Sequence, residues 1–252
     1  MKRPCPYCGV RLKKKEREVH VRETHQLRGS EDEFMCLKGC VRCCTDKGMP
    51  LELTIGDMAR ISKHLGISLS DLFEEYCDIM WNRIPYTTMF IPSIGLTFPC
   101  EFLEGEKCVI YSVRPLHCRM FPENVVVSSE FEDISPIRGR GYKCIDRGFR
   151  VSEERGKRIK RLSELDEDEL EKSAMYFGNI SIQAYVTDEE FGEVLEALKE
   201  VDELEKNEKK RELCTNIIRA KGDEDVIRVM FLEKIKNLQE ENLEEYDLLK
   251  SI

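Results

Sequence analysis

Apolar side chains recur at helical spacing in the stretch 55–65, three or four positions apart. They are Ile55, Met58, Ile61 and Leu65. Such spacing places them on one face of a helix. Thr54 and Asp57 have the form of a capping box at its start, and Gly66 is typical of a helix end. We predict a helix here and a second one that starts at Ser70.

Two further stretches with helical spacing of apolar residues lie in the last hundred residues. Thr187 and Glu190 have the form of a capping box, and the apolar residues after it are Phe191, Val194, Leu195, Leu198 and Val201. A second apolar stripe consists of Val226, Val229, Met230 and Leu238. The other faces are almost wholly charged, so we predict acidic helices that bury these stripes against one another, against the middle of the chain or against a partner helix. We interpret the carboxylates of Glu164, Asp166 and Asp168 as a solvated helix start.

Two shorter elements are predicted in the cysteine-rich middle of the chain. Residues 103–107 are typical of a turn between two short strands, and this hairpin would hold Cys100 and Cys108 near each other. Pro115 suits the first position of a helix, with Cys118 three residues further on. We therefore expect the cysteines of this region to be held by local structure.

Charge divides the chain into three segments. Residues 1–29 carry nine basic and three acidic side chains, whereas residues 151–252 carry 17 basic and 28 acidic ones. We predict a small module in the first segment, a cysteine-rich domain over 30–150 and a helical extension in the last. The net charge of −9 opposes general coating of nucleic acid, because the acidic remainder repels phosphate. Only a local nucleic-acid or protein contact through residues 1–29 stays open.

The twelve cysteines indicate which chemistry to expect. The sequence contains no run of ~18 apolar residues that would span a membrane, and no apolar stretch near its N-terminus that would direct secretion. We therefore expect a cytoplasmic, reducing setting, in which clustered thiols are metal ligands or catalysts. No serine-histidine-aspartate arrangement or glycine-rich phosphate loop accompanies them, and the chain has four histidines in all. Metal binding is the favoured interpretation.

A first set of candidate ligands lies in the N-terminal segment. Cys5 and Cys8 form a Cys-x2-Cys knuckle, and His20 and His25 follow, so that the whole is Cys-x2-Cys-x11-His-x4-His. This spacing is close to that of Cys2His2 zinc fingers, in which a helix carries both imidazoles to the knuckle. We predict a tetrahedral Zn²⁺ site; the alternative is an exposed thiol pair with two unrelated surface histidines. A segment this short needs the metal in order to fold.

A larger set of candidate ligands lies in the middle of the chain. Its members are Cys36, Cys40, Cys43, Cys44, Cys100, Cys108 and Cys118, with Cys144 as an eighth. In an extended chain, the adjacent Cys43 and Cys44 would point in different directions and serve two centres or bridge one pair. Buried apolar side chains are the simpler interpretation, but they explain poorly why so many cysteines are closely spaced beside Gly, Pro and Arg.

Other residues beside these thiols are predicted to support the site. A set of thiolates favours nearby cations, which Arg114 and Arg119 would supply. His117 is either a substitute ligand or an outer hydrogen-bond donor. Cys77 and Cys214 have no partner nearby in a helical pattern, so we interpret them as buried apolar side chains.

The middle of the chain resembles the YkgJ-type cysteine-cluster family, also called the CxxCxxCC zinc- or iron-chelating domain. The resemblance covers about residues 34–145 and rests on three pieces, Cys40-x2-Cys43-Cys44, Phe98-Pro99-Cys100-x7-Cys108-Val109-Ile110-Tyr111 and Arg114-Pro115-x2-Cys118-Arg119-x-Phe121-Pro122. The family opens with two residues between its first two cysteines, whereas three separate Cys36 from Cys40 here. The resemblance implies a metal-chelating domain scaffolded by helices, with a relative among flagellin lysine N-methylases.

The sequence as a whole predicts an α+β metalloprotein. It would consist of a zinc finger-like module, a cysteine-cluster domain of short helices plus a β-hairpin, and an acidic α-helical C-terminal extension. The expected function is chelation of Zn²⁺ or of iron, as Fe ions or a [4Fe–4S] cluster, since both fit thiolates. Two alternatives stay open: a cluster-dependent enzyme such as a protein lysine N-methyltransferase related to the flagellin methylases, and a zinc-finger adaptor for nucleic acid or protein.

Overall fold

The computed structural model describes residues 3–4, 11–12, 41–45, 51–84, 86–124, 142, 151–178, 180, 184–221, 223–238 and 240–251. The described helices are Arg42–Thr45 (α1), Ile55–Leu65 (α2), Leu69–Tyr76 (α3), Leu116–Met120 (α4), Glu153–Phe177 (α5), Asp188–Ala197 (α6), Glu203–Ala220 (α7), Asp223–Lys236 (α8) and Glu240–Tyr246 (α9), with 3-10 turns at Tyr111–Val113 and Leu248–Ser251. The described strands are Arg3–Pro4 (β1), Arg11–Leu12 (β2), Cys77–Arg83 (β3), Met89–Leu96 (β4), Leu103–Glu104 (β5), Lys107–Cys108 (β6) and Ala184–Tyr185 (β7). This mixture of helices and small sheets confirms the predicted α+β class with a helical C-terminal region.

The first two long helices begin at capping boxes. The hydroxyl of Thr54 accepts the N–H of Asp57 at 2.8 Å, and Gly66 ends α2 with a φ of 68°. Ser68 accepts the N–H of Asp71 at 3.0 Å at the start of α3. The predicted start of this second helix at Ser70 is therefore one residue too late, because the helix begins at Leu69 and Ser68 caps it.

An antiparallel hairpin, β3–β4, follows α3 and was not predicted. Its register runs from Cys77 opposite Leu96 to Arg83 opposite Phe90. β7 pairs with the first two residues of β4, on the edge away from β3. Every second residue of β3 from Cys77 to Trp81 is buried, and this alternation of apolar and other positions is the pattern of a half-buried strand.

One hydrophobic core joins the middle of the chain to its C-terminal helices. The ring of Phe73 on α3 lies 6.3 Å, centroid to centroid, from that of Phe231 on α8. Phe231 in turn contacts Phe177, the last residue of α5, edge to face at 5.0 Å. The sheet and the helices α3, α7 and α8 all contribute to this cluster. The boundaries at 29/30 and 150/151 stay predictions.

α8 buries a different face from the predicted one. Ile227, Phe231 and Ile235 are each at most 2% exposed, whereas Val226 and Val229 of the predicted stripe are 54% and 57% exposed. Both sets have helical spacing. The larger side chains of the first set bury more apolar area, and this decides which face turns inward. The predicted stripe is therefore wrong for Val226 and Val229, whereas its other two members, Met230 and Leu238, are partly buried against the core.

Of the other two C-terminal predictions, the capping box at Thr187 is confirmed and the helix start near residues 164–168 is wrong. α6 has the predicted capping box, in which Thr187 accepts the N–H of Glu190 at 3.2 Å. The carboxylates of Glu164, Asp166 and Asp168, in contrast, lie inside α5. This helix begins at Glu153, and Ser152 is its N-cap. Their interpretation as a helix start is therefore wrong. In the described part of the chain, no helix combines the length and the apolar composition needed to cross a bilayer.

Gly56 marks a close approach between α2, α5 and the end of the chain. A methyl group on its Cα would overlap the carboxylate of Glu169 and the carbonyl oxygen of Tyr246. We expect Gly56→Ala to lower the free energy of unfolding, measured by urea denaturation, by about 1–3 kcal/mol. Gly156→Ala in α5 is the control, because no other atom lies within 4 Å of its added methyl group. That change should raise stability by up to ~1 kcal/mol, and equal effects of the two changes would refute the close contact.

Candidate metal centre

The first of three thiol-bearing segments is α1. The N–H of Cys44 donates to the carbonyl of Val41 at 3.0 Å, and the hydroxyl of Thr45 donates to the same carbonyl at 3.2 Å. The sulfur atoms of Cys43 and Cys44 are 3.9 Å apart in this helical turn. The extended conformation expected for this pair is therefore wrong, and the turn brings the two sulfurs together.

The second segment is the β5–β6 hairpin, which the sequence predicted. Leu103 pairs with Cys108, and Gly105 occupies the turn with a φ of 60°, in the left-handed region that favours glycine. Cys100 precedes β5 and donates its N–H to the carbonyl of Cys44 at 2.8 Å. This backbone bond ties the hairpin directly to α1.

The third segment is α4, which carries Cys118. Pro115 is its N-cap, so the helix begins one residue later than predicted. Arg119 braces the turn that leads into it, because its guanidinium donates to the carbonyls of Arg114 at 2.8 Å and Ser112 at 2.5 Å. The apolar face of α4 packs on α5. The position of Cys118 is thus set by the turn that precedes α4 and by the packing of α4 on α5.

The thiols of these three segments influence one another electrostatically. Burial raises the pKa of Cys108, Cys118 and Cys100, the last to about 11, because the charged form loses its water. Negative charge on Cys43 raises each of these pKa values further. In each case this repulsion from Cys43 adds to the larger effect of burial.

Cys43 differs from its neighbours because its own pKa is lowered. It falls to about 7, chiefly because the Cys44 thiol donates a hydrogen bond to the Cys43 sulfur. The same hydrogen bond, and then burial, raises the pKa of Cys44. Of the two thiols, Cys43 is therefore the one that ionises more readily.

Arg114 supplies positive charge beside the thiols. Against the effect of burial, it acts to lower the pKa of Cys43, Cys108 and Cys118. Its guanidinium lies 4.0 Å over the ring of Tyr111. The Nε atom is buried, and no described residue accepts a hydrogen bond from it. A cation with an unused donor suits a centre whose ligands carry excess negative charge.

His117 lies on the same helix as Cys118 but is 46% exposed at its side chain. Its Nδ1 atom is 3.8 Å from a carboxylate oxygen of Asp166 on α5. This contact adds to the packing of α4 on α5. The role of His117 as a ligand or an outer donor stays a prediction.

The remaining predicted ligands lie outside the described residues. They are Cys5, Cys8, His20, His25, Cys36, Cys40 and Cys144. Within the described ranges, no three His, Cys, Asp or Glu side chains are arranged to hold a metal ion. The five candidate thiols among the described residues therefore do not form a coordination sphere by themselves, although soft sulfur donors beside a cation fit zinc or iron chemically.

The two cysteines interpreted as structural are buried, as predicted. Cys77 is 2% exposed and Cys214 is 1% exposed, and both belong to the main core. Burial raises the pKa of Cys77 to about 12. Cys214 lies in α7, whereas Cys77 begins β3, so the predicted helical setting is wrong for Cys77.

A family model matches residues 35–138, and its description is CxxCxxCC, "Putative zinc- or iron-chelating domain". The matched span contains every middle candidate ligand except Cys144. It covers less than half of the chain and leaves out the N-terminal module. No solved structure matches the chain. The match supports the resemblance to this family and supports metal binding by the middle of the chain, with the metal undecided between zinc and iron.

Proposed function

We propose that the middle of this chain binds zinc or iron through a set of cysteine thiolates. The ligands that the described residues contribute are Cys43, Cys44, Cys100, Cys108 and Cys118. The observation that carries the proposal is the backbone hydrogen bond, 2.8 Å long, by which Cys100 at the β5–β6 hairpin joins Cys44 on α1, a distant part of the sequence. The electrostatic effect of Cys43 on Cys100, Cys108 and Cys118 agrees with it. A bound Zn²⁺ would cross-link these segments, and a [4Fe–4S] cluster would add electron transfer.

A cation explains why thiols would be gathered in a buried place. Without one, the raised pKa values keep most of these thiols protonated, because burial disfavours their charged form and negative charge on neighbouring thiols adds to this effect. A divalent ion replaces the protons and turns that repulsion into attraction. Four thiolates around Zn²⁺ leave a charge of −2, part of which Arg114 offsets.

Tyr142 supports Cys144 as a further ligand. Its side chain is 1% exposed, and its ring lies 5.3 Å from that of Phe121, which directly follows α4. The guanidinium of Arg42, on α1, lies 5.9 Å from the centre of the Tyr142 ring. Cys144 follows Tyr142 by two positions in the sequence, which supports it as a ligand. We propose that the coordination is completed by Cys144, Cys36 and Cys40.

We propose a separate Zn²⁺ site in residues 1–29, with Cys5, Cys8, His20 and His25 as its ligands. β1 and β2 pair in antiparallel fashion, with Arg3 opposite Leu12. In the sequence, Cys5 and Cys8 lie between these two strands. A hairpin around a Cys-x2-Cys knuckle is the first half of a Cys2His2 finger, which supports this assignment.

Metal analysis of the chain purified without oxygen tests the proposal. We expect at least two metal ions per chain, one of them zinc bound by the N-terminal module. A brown sample with broad visible absorption would identify an iron–sulfur cluster in the middle domain, and a colourless one with two or three zinc ions would identify zinc there. Protein that holds neither metal in stoichiometric amount, after expression with both supplied, would contradict the proposal.

A further inference from the structure

A charged cluster is buried where α2, α5 and the C-terminal segment meet. Arg60 is 8% exposed, and its guanidinium donates to Glu169 at 2.8 Å, to Asp247 at 2.7 Å and also to Asp57. Asp57 and Glu169 are almost completely buried. One guanidinium therefore faces three carboxylates, and burial raises the pKa of Asp57 to about 6 even though Arg60 opposes the change.

The carboxylate of Asp57 also reaches α4. Its Oδ1 atom accepts the N–H of Leu116, the first residue of α4, at 3.0 Å. Its Oδ2 atom accepts the N–H of Thr54 at 3.4 Å, within the capping box of α2. One buried carboxylate therefore caps both its own helix and the helix that carries Cys118.

α4 depends on this outside acceptor more than a longer helix would. It has five residues, and the first N–H groups of any helix find no carbonyl partner within it. Pro115, its N-cap, makes no side-chain hydrogen bond that would cap it. Removing the carboxylate of Asp57 would leave the N–H of Leu116 buried without that acceptor, two residues before Cys118.

We propose that Asp57 is a positioning residue of the metal centre: it fixes the start of α4 and thereby holds Cys118 in place beside Cys43 and Cys100. The inference rests on the proposed function, in which Cys118 is a ligand. Arg60 and Glu169 keep the Asp57 carboxylate oriented, since Arg60 bonds both of them. The C-terminal segment, through Asp247, is thus connected to the helix of a candidate ligand.

Three variants of the full chain test this role. Asp57→Ala removes the acceptor, whereas Asp57→Asn keeps an oxygen that can accept the N–H of Leu116. Asp247→Asn is the matched control, because Asp247 also bonds Arg60, whereas it is Asp57 that accepts the N–H of Leu116. Hydrogen–deuterium exchange of peptides covering 114–122 in the metal-free protein measures how stably α4 is folded. Competition for Co²⁺ with a chelator, followed by the visible thiolate–cobalt absorption, reports the affinity of the middle centre when every protein compared also carries Cys5→Ser and Cys8→Ser, which remove the thiolates of the N-terminal site.

In Asp57→Ala, we expect faster exchange in 114–122, a changed cobalt spectrum and Co²⁺ affinity weakened by about 10- to 100-fold, as for other residues that orient metal ligands. Asp57→Asn should recover most of the protection, and Asp247→Asn should leave the spectrum and the exchange of 114–122 unchanged. Unchanged exchange and affinity in Asp57→Ala, or equal changes in Asp247→Asn, would overturn the positioning role. A wild-type chain that binds no Co²⁺ would instead contradict the proposed function, while the exchange data would still decide whether Asp57 holds α4.

Discussion

Changing Cys43 and Cys44 together to serine is expected to remove the metal of the middle domain. The pKa of Cys43, lowered to about 7, makes it the thiol of this pair that loses its proton to a metal more readily. Elemental analysis should find at least one zinc or iron fewer per chain. A ligand at 1,000 times its Kd stabilises a fold by about 4 kcal/mol, so Tm should fall by about 10 °C for a chain of this size.

Cys77→Ser and Cys214→Ser are the matched controls for that double change. Both thiols are buried in the main core, outside the group around Cys43. Each control should lower Tm, because a buried hydroxyl needs a hydrogen-bond partner, but should leave the metal content unchanged. A Cys43→Ser, Cys44→Ser protein with full metal content would show that α1 supplies no ligand.

Arg60→Met is expected to lower the free energy of unfolding by about 3–5 kcal/mol, as when one partner of a buried ion pair is removed. The reason is that Asp57, Glu169 and Asp247 would lose the guanidinium that bonds all three of them. Methionine fills a similar volume, so the effect reports charge more than packing. Urea denaturation at neutral pH measures it.

Arg219→Met is the comparison for an exposed ion pair. Arg219 donates to Asp78 at 2.9 Å and to Glu224 at 2.8 Å, but its side chain is 42% exposed. Such pairs contribute about 0–1 kcal/mol, because water and salt screen them. If Arg60→Met were no more harmful than Arg219→Met, the buried cluster would not stabilise the fold in the way described.

Local signals in the sequence predicted the elements that hold the candidate ligands. A capping box acts within four residues, so Thr54 and Asp57 were enough to place the start of α2. Gly105 in a short polar turn likewise identified the β5–β6 hairpin. These elements could be predicted because each depends on residues that are neighbours along the chain.

The buried charge cluster could not be predicted in this way. Gly56, Asp57 and Arg60 form the polar side of α2, which an amphipathic pattern assigns to solvent. That side is buried because Glu169 and Asp247, which lie 109 and 187 positions from Arg60, neutralise it and accept its hydrogen bonds. Only the three-dimensional fold brings these carboxylates to α2, and the role of Asp57 at α4 follows from the same long-range contact.

Two other differences have related causes. The hairpin β3–β4 was not predicted, because the alternation from Cys77 to Trp81 is short and directly follows a helical pattern. On α8, two apolar stripes were available, and the sequence alone did not say which one faces the core. The candidate metal ligands, in contrast, were predicted from residue type and spacing. The contact between α1 and the β5–β6 hairpin, made by Cys44 and Cys100, became evident only from the fold.

Extended X-ray absorption fine structure at the edge of the bound metal identifies the donor atoms themselves. For the wild-type chain we expect a first shell dominated by sulfur, at about 2.3 Å for zinc. The sulfur contribution should shrink when Cys43 and Cys44 are changed to serine. A shell of oxygen and nitrogen alone would mean that the cysteines gathered around Cys43 are not the metal ligands.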